Sequence, residues 1–273
     1  MKEFNEQGFL GIGRNDTSAS RPDLLDNSLE QFYKINHACM QLLHELPFYE
    51  DNGQSVFSSC LFARQLEVTQ SAADLAARGA RPAAMTLLRL AIEIYILAKN
   101  NEMIEGFLQE YYNIGMRDIR TLLRADSLES LPNMFSDPQH EVLREQRSQI
   151  SKFFSDNKAI KLTWEKLAKR VGLESVYNII YRLMSSHSHT RFGSLSQYFD
   201  SNHEGTRLIF QPNFDDLHRC VDSLCGFLLE TAMIACNIDH FPFPDYLVTQ
   251  QKDFAEKLTQ IEFDTYKRSE KER

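Results

Sequence analysis

The stretch MTLLRLAIEIYILA, residues 85–98, decides the fold class. Wound at 100° per residue it presents apolar side chains on nearly every side, as a helix (about 82–99) at the centre of a bundle does. It is too short to span a bilayer and carries Arg89 and Glu93 in its middle, so it is a core helix and not a membrane anchor. Those two residues stand at i and i+4, share a face and can pair. A charge pair within so apolar a helix is costly unless it is satisfied.

The flanking sequence continues the helical pattern. Residues 24–46 place Leu24, Leu25, Leu29, Phe32, Ile35, Cys39, Leu42, Leu43 and Leu46 mostly three and four apart, as one buried helix face requires. Asp51 to Gly53 break the chain, and an alanine-rich helix is predicted from Val56 to Ala77. Gly79 suits its C-terminal cap and Pro82 suits the first turn of the central helix. A fourth helix is predicted over 103–125, followed by a connecting loop over 127–138. Beyond lie a helix from about Glu174 to His189, with Val176, Ile179, Ile180, Leu183 and Met184 on its apolar side, and a last core helix over 217–238 capped by Asp215 or Asp216. RLIFQPNF (207–214) is the one stretch with the composition of a short strand or extended arm. The fold class is therefore all-α, a helical bundle with a four- to five-helix core and peripheral helices. Residues 1–23 read as a mobile arm, 24–250 as one domain, and 251–273, with six basic and six acidic residues, as an exposed helical tail that frays.

Bulk composition narrows the function classes. The chain has 273 residues and a formal net charge of −8, which argues against coating nucleic acid through overall charge but leaves room for a local basic groove. Charge is segregated: residues 1–60 hold four Lys/Arg and nine Asp/Glu, whereas 144–170 hold eight and three. A solvated helix face is the plain reading of such a run, and a nucleic-acid contact the functional one. Five cysteines without a CxxC pair exclude zinc-ribbon and thioredoxin motifs and fit buried thiols in a cytoplasmic protein. The N-terminus lacks the apolar core of a signal peptide. Its Gly8, Gly11 and Gly13 are followed by no Gly-Lys-Ser/Thr.

The basic segment leads into YRLMSSHSHTRFGSL, residues 181–195. On a helix Arg182 and His189 differ by only about 20° and project on one side, two turns apart, with Ser185 and Ser186 between them. His187 lies about 140° from Arg182 and points elsewhere. An HxH pair chelates readily from a strand but not from a helix, and no further His or Cys cluster completes a metal site. An arginine suits phosphate oxygens and an imidazole exchanges protons near neutral pH. Together they can cleave RNA without a metal, the 2′-hydroxyl attacking its own phosphate. The structural alternative has Arg182 paired with a carboxylate and His189 capping the helix end.

Arg182-LMSSHS-His189 resembles the Arg-x4–6-His signature of the HEPN superfamily, all-helical domains many of which are metal-independent ribonucleases of toxin–antitoxin and anti-phage systems. TLLRLAIEIYILAKN (86–100) together with YRLMSSHSHTR resembles a branch of uncharacterised bacterial helical proteins near it, in the positions Arg89, Glu93, Tyr181, Arg182, Ser185 and His189, and the likeness spans roughly residues 55–240. Many members have a polar residue after the motif arginine; here it is Leu183. The resemblance implies a cytoplasmic endoribonuclease with His189 as general acid/base, Arg182 as phosphate clamp, Ser185 and Glu93 in support, and Arg89, His187 and Arg191 contacting substrate. Glu93 would orient Arg182 or His189 from the facing helix, and Tyr181 would serve packing. RNA is the implied substrate, with a homodimer pairing two motif helices and an antitoxin or defence-system protein as partner. No cofactor is expected. Two other readings stand beside it: a non-catalytic interaction module for a partner protein or nucleotide, and a small-molecule binder using the Arg89/Glu93 cleft.

Overall fold

The computed structural model describes residues 21–122, 162–184, 198–202 and 205–271, with six isolated positions between them. The fold is an all-α helical bundle. Its helices are α1 (Asp23–Glu45), α2 (Gly53–Ala77), α3 (Arg81–Met103), α4 (Phe107–Leu122), α5 (Trp164–Arg170), α6 (Glu174–Val176), α7 (Leu217–Ile238) and α8 (Asp245–Lys271). A single π-helical turn, Tyr177–Tyr181, continues α6. The predicted arm (residues 1–20 of it) and the loop over 127–138 lie outside the described residues.

The core forms around α7, which packs against α1, α2 and α3, while α2 packs in turn against both α1 and α3. From α1 come Leu25, Leu29, Phe32, Ile35, Cys39 and Leu42, all buried, so the three-and-four spacing did mark the inner face. From α2 come Ala72, Ala73, Ala76 and Ala77, all fully buried; small side chains let α3 and α7 approach closely. The most apolar long helix is α7, and 61% of its most apolar window is buried inside the bundle. It is the only described helix long and apolar enough to cross a membrane, and here it is core.

Helix ends follow local chemistry. The Asn52 side chain accepts from the backbone N–H groups of Gln54 (3.1 Å) and Ser55 (3.2 Å) and caps α2. At the α2–α3 corner Gly79 has φ +72°, and a Cβ there would lie 2.8 Å from Pro212 Cβ. The close approach has a purpose: Asn213 N–H donates to Gly79 C=O at 2.9 Å, tying the segment before α7 to the corner. Pro82 falls in the first turn of α3, as predicted.

Four expectations need correction. The central helix runs on to Met103, so α4 begins at Phe107 and not at 103; buried Asn100 and Asn101 extend α3 by donating to Leu167 C=O and Gln54 C=O. The extended segment is a two-stranded hairpin, β1 (Phe199–Asn202) and β2 (Gly205–Leu208), starting before the stretch predicted. Asp216 precedes α7 with φ 57° and makes no side-chain cap bond. Finally, α8 starts at Asp245 and its middle is not a free tail. Phe254 is buried, and Lys257 reaches Asp222 (2.9 Å) and Ser28 (3.1 Å).

Candidate functional site

Arg89 and Glu93 lie one turn apart on α3, with Arg89 Nε 3.2 Å from Glu93 Oε1. Their side chains keep only 22% and 15% of their exposure. The partner that completes the pair is Tyr181, on the π turn. Its hydroxyl donates to Glu93 Oε1 at 2.9 Å and accepts from Arg89 Nη2 at 3.0 Å. Burial first, and then the negative charge and hydrogen bond of Glu93, push the Tyr181 phenol up to about 12 against the opposing Arg89. It is therefore a neutral hydrogen-bonding group at physiological pH. Tyr177 stacks on Tyr181 with ring centroids 4.8 Å apart, and the Arg182 guanidinium stands 5.6 Å from the Tyr177 centroid. A cation–aromatic–aromatic chain thus links Arg182 to the ion pair.

Arg182 itself faces away from that pair. Its side chain is 59% exposed, and Nη2 is 3.8 Å from Glu165 Oε1 on α5. Glu93 orients Tyr181 and Arg89, not Arg182, because consecutive helical residues point about 100° apart and Tyr181 takes the inner position. The inner face of this segment is also rotated from expectation. Tyr181 and Met184 are buried, while Ile179 (69%) and Leu183 (61%) are exposed. Hydrophobicity alone favours the isoleucine and leucine inside; the half-buried charges on α3 need a polar tip, which tyrosine supplies with an apolar body. The backbone here forms the π turn, Arg182 N–H bonding to Tyr177 C=O, and such turns occur frequently at functional sites.

The remaining expected site residues, Ser185, His187, His189 and Arg191, lie outside the described residues. Part of the basic segment is described. On α5, capped by the Thr163 hydroxyl accepting from Lys166 N–H, Lys166 and Lys169 are exposed and Arg170 pairs with Glu110 at 2.8 Å. Because Glu165 of α5 meets Arg182, the exposed lysines and the exposed arginine belong to one surface region. Sequence reasoning treated Tyr181 as packing and missed its hydrogen bonds; the usable signal was the Tyr177/Tyr181 i, i+4 pair opposite an apolar helix carrying two charges.

Among the described residues no group of three or more His, Cys, Asp or Glu is arranged to hold a metal ion. Four cysteines are buried and Cys60 is exposed, all as free thiols. Burial pushes the thiols of Cys220 and Cys236 up to about 12 and raises those of Cys39 and Cys225 further, which makes these four poor nucleophiles.

No curated protein and no solved structure matches this sequence. One family model does, that of a family of unknown function (DUF5677), over residues 56–207. The matched span contains most of α2, all of α3, the Arg89–Glu93–Tyr181 cluster and Arg182, and it exceeds half of the chain, so the protein belongs to the DUF5677 family.

Proposed function

We propose that this protein is a HEPN-like, metal-independent endoribonuclease that acts as a toxin or anti-phage effector. The observation that carries the reading is the position of Arg182. It is exposed, directly follows a π turn, and neighbours the exposed lysines of α5. A guanidinium so placed can take two phosphate oxygens of an RNA strand lying along the lysines. His189 removes the proton of the 2′-hydroxyl as it attacks phosphorus, and a proton is delivered to the departing 5′-oxygen. Ser185 would steady the phosphate, with His187 and Arg191 contacting the flanking strand. In this scheme Glu93 and Arg89 act at one remove: they hold Tyr181, and Tyr181 with Tyr177 sets where Arg182 stands. A homodimer with two motif helices facing one another would pair two such sites, and an antitoxin or defence-system protein would restrain them.

The test is incubation of total RNA with the protein in EDTA, beside a folded His189→Ala form. Cleavage leaving 2′,3′-cyclic phosphate ends, lost in the variant, supports the proposal; a requirement for a divalent ion sinks the mechanism. A second reading, a non-catalytic interaction module, draws on exposed Ile179 and Leu183 beside Arg182. It is favoured if neither form cleaves.

A further inference from the structure

The end of the bundle where α7 stops holds a cleft of about 720 Å³, lined by Phe48, Tyr49, Glu50 and Asp51 from the α1–α2 connection and by Asp239 and His240 after α7. Asp239 is 5% exposed, and neither carboxylate oxygen has a hydrogen-bond partner. A buried carboxylate without a partner is costly, and this one caps a helix C-terminus, where backbone carbonyls already concentrate negative potential. Neighbouring carboxylates are engaged. Glu102 accepts from Asn237 (2.8 Å) and pairs with Lys99 (3.0 Å), and Glu45 accepts from Tyr246 (2.6 Å). Glu50 and Asp51, both exposed, add two further negative charges at the mouth and form no ion pair among the described residues. Two large aromatic rings stand exposed at the same rim, Phe48 at 57% and Tyr49 at 50%.

We infer that this cleft is a binding site for a small organic cation bearing primary ammonium or guanidinium groups. Asp239 supplies buried negative charge beneath the cleft, Glu50 and Asp51 receive outer charge, and Phe48 and Tyr49 offer ring faces to the cation or its alkyl stem. Three observations favour an organic cation over a bare metal ion. The cleft is far larger than an ion, no described cluster has metal-ligand geometry, and aromatic faces attract ammonium and guanidinium groups. The nearby Cys236 thiol senses the same negative charge: after burial, Asp239 is the next cause raising it to about 12. The residues that line the cleft are different from those around Arg182, and the inference does not depend on the ribonuclease reading.

Isothermal titration of the full chain with spermidine and with agmatine tests it, in 150 mM NaCl at pH 8. Saturable binding of at least one amine is expected, weakened at least tenfold in Asp239→Asn and severalfold in Glu50→Gln/Asp51→Asn, with magnesium chloride at equal ionic strength failing to compete. No binding of either amine overturns the inference, as does unchanged affinity in Asp239→Asn or equal competition by magnesium. Should Asp239→Asn fail to fold, the exposed double variant decides: unchanged affinity there also overturns it.

Discussion

Replacing the two charges on α3 singly and together measures what Tyr181 and its partners contribute. Glu93→Leu removes the carboxylate beside the Arg89 guanidinium and the acceptor of the Tyr181 hydroxyl. Breaking a fully buried pair from one side costs about 3–5 kcal/mol. Here the side chains retain 22% and 15% exposure, so water recovers part of that loss. About 2 kcal/mol is the working figure for Glu93→Leu, and about 2 for Arg89→Leu. The double variant removes both charges of the pair. Its cost is mainly the Tyr181 hydroxyl left without these two partners, about 1 kcal/mol. Additivity would demand about 4 kcal/mol, so the coupling is about 3 kcal/mol, within the range for residues of one network. Urea denaturation followed by circular dichroism reads all four proteins, with the slope unchanged if the denatured state is unaffected. Amide exchange over 177–184 should rise in both single variants. A double variant that loses the sum of the single losses, within about 0.5 kcal/mol, would refute the account of the ion pair as a mutually satisfied unit.

Three further outcomes are expected. The Tyr181 phenol, raised from 10 to about 12, gives stability that is complete below pH 10 and is lost as pH rises through about 12; a near-ultraviolet titration of the parent minus Tyr181→Phe should accordingly show no ionisation at pH 10. Gly79→Ala should destabilise by about 2–3 kcal/mol in the same denaturation assay, since φ +72° strains any Cβ and Pro212 stands 2.8 Å from where it would sit. Arg182→Ala should change stability by less than about 0.5 kcal/mol, because its side chain is 59% exposed and its ion-pair partner among the described residues, Glu165, is 3.8 Å away. It should nonetheless abolish RNA cleavage, whereas a fall in melting temperature without loss of a reaction would favour the interaction module.

Much of the fold was legible because burial leaves a periodic trace. Leu25, Leu29, Phe32, Ile35, Cys39 and Leu42 announce the inner face of α1, and the bounds of α7 agree residue for residue with the predicted 217–238. Gly79 and Pro82 announced the α2–α3 corner through backbone rules that act within a few residues. The candidate site was legible only in part. The i, i+4 spacing of Arg89 and Glu93 foretold their pairing, yet nothing local says that a tyrosine ninety residues away closes it.

What the sequence determined by itself is the class of fold, the number and rough extent of its long helices, and the charge pair inside the central one. These depend on periodicity, capping and helix spacing, which operate within a turn or two of the chain. Only the tertiary structure decided that Tyr177 and Tyr181 turn inward while Ile179 and Leu183 turn out, because that choice is made by the polar demand of α3 and not by the hydrophobicity of the segment. The tertiary structure also decided that Phe254 and Lys257 dock α8 against the bundle and that Asp239 comes to rest buried, with its oxygens unmatched, beside residues 48–51. Such pairings join positions tens to hundreds of residues apart, where no spacing rule reaches.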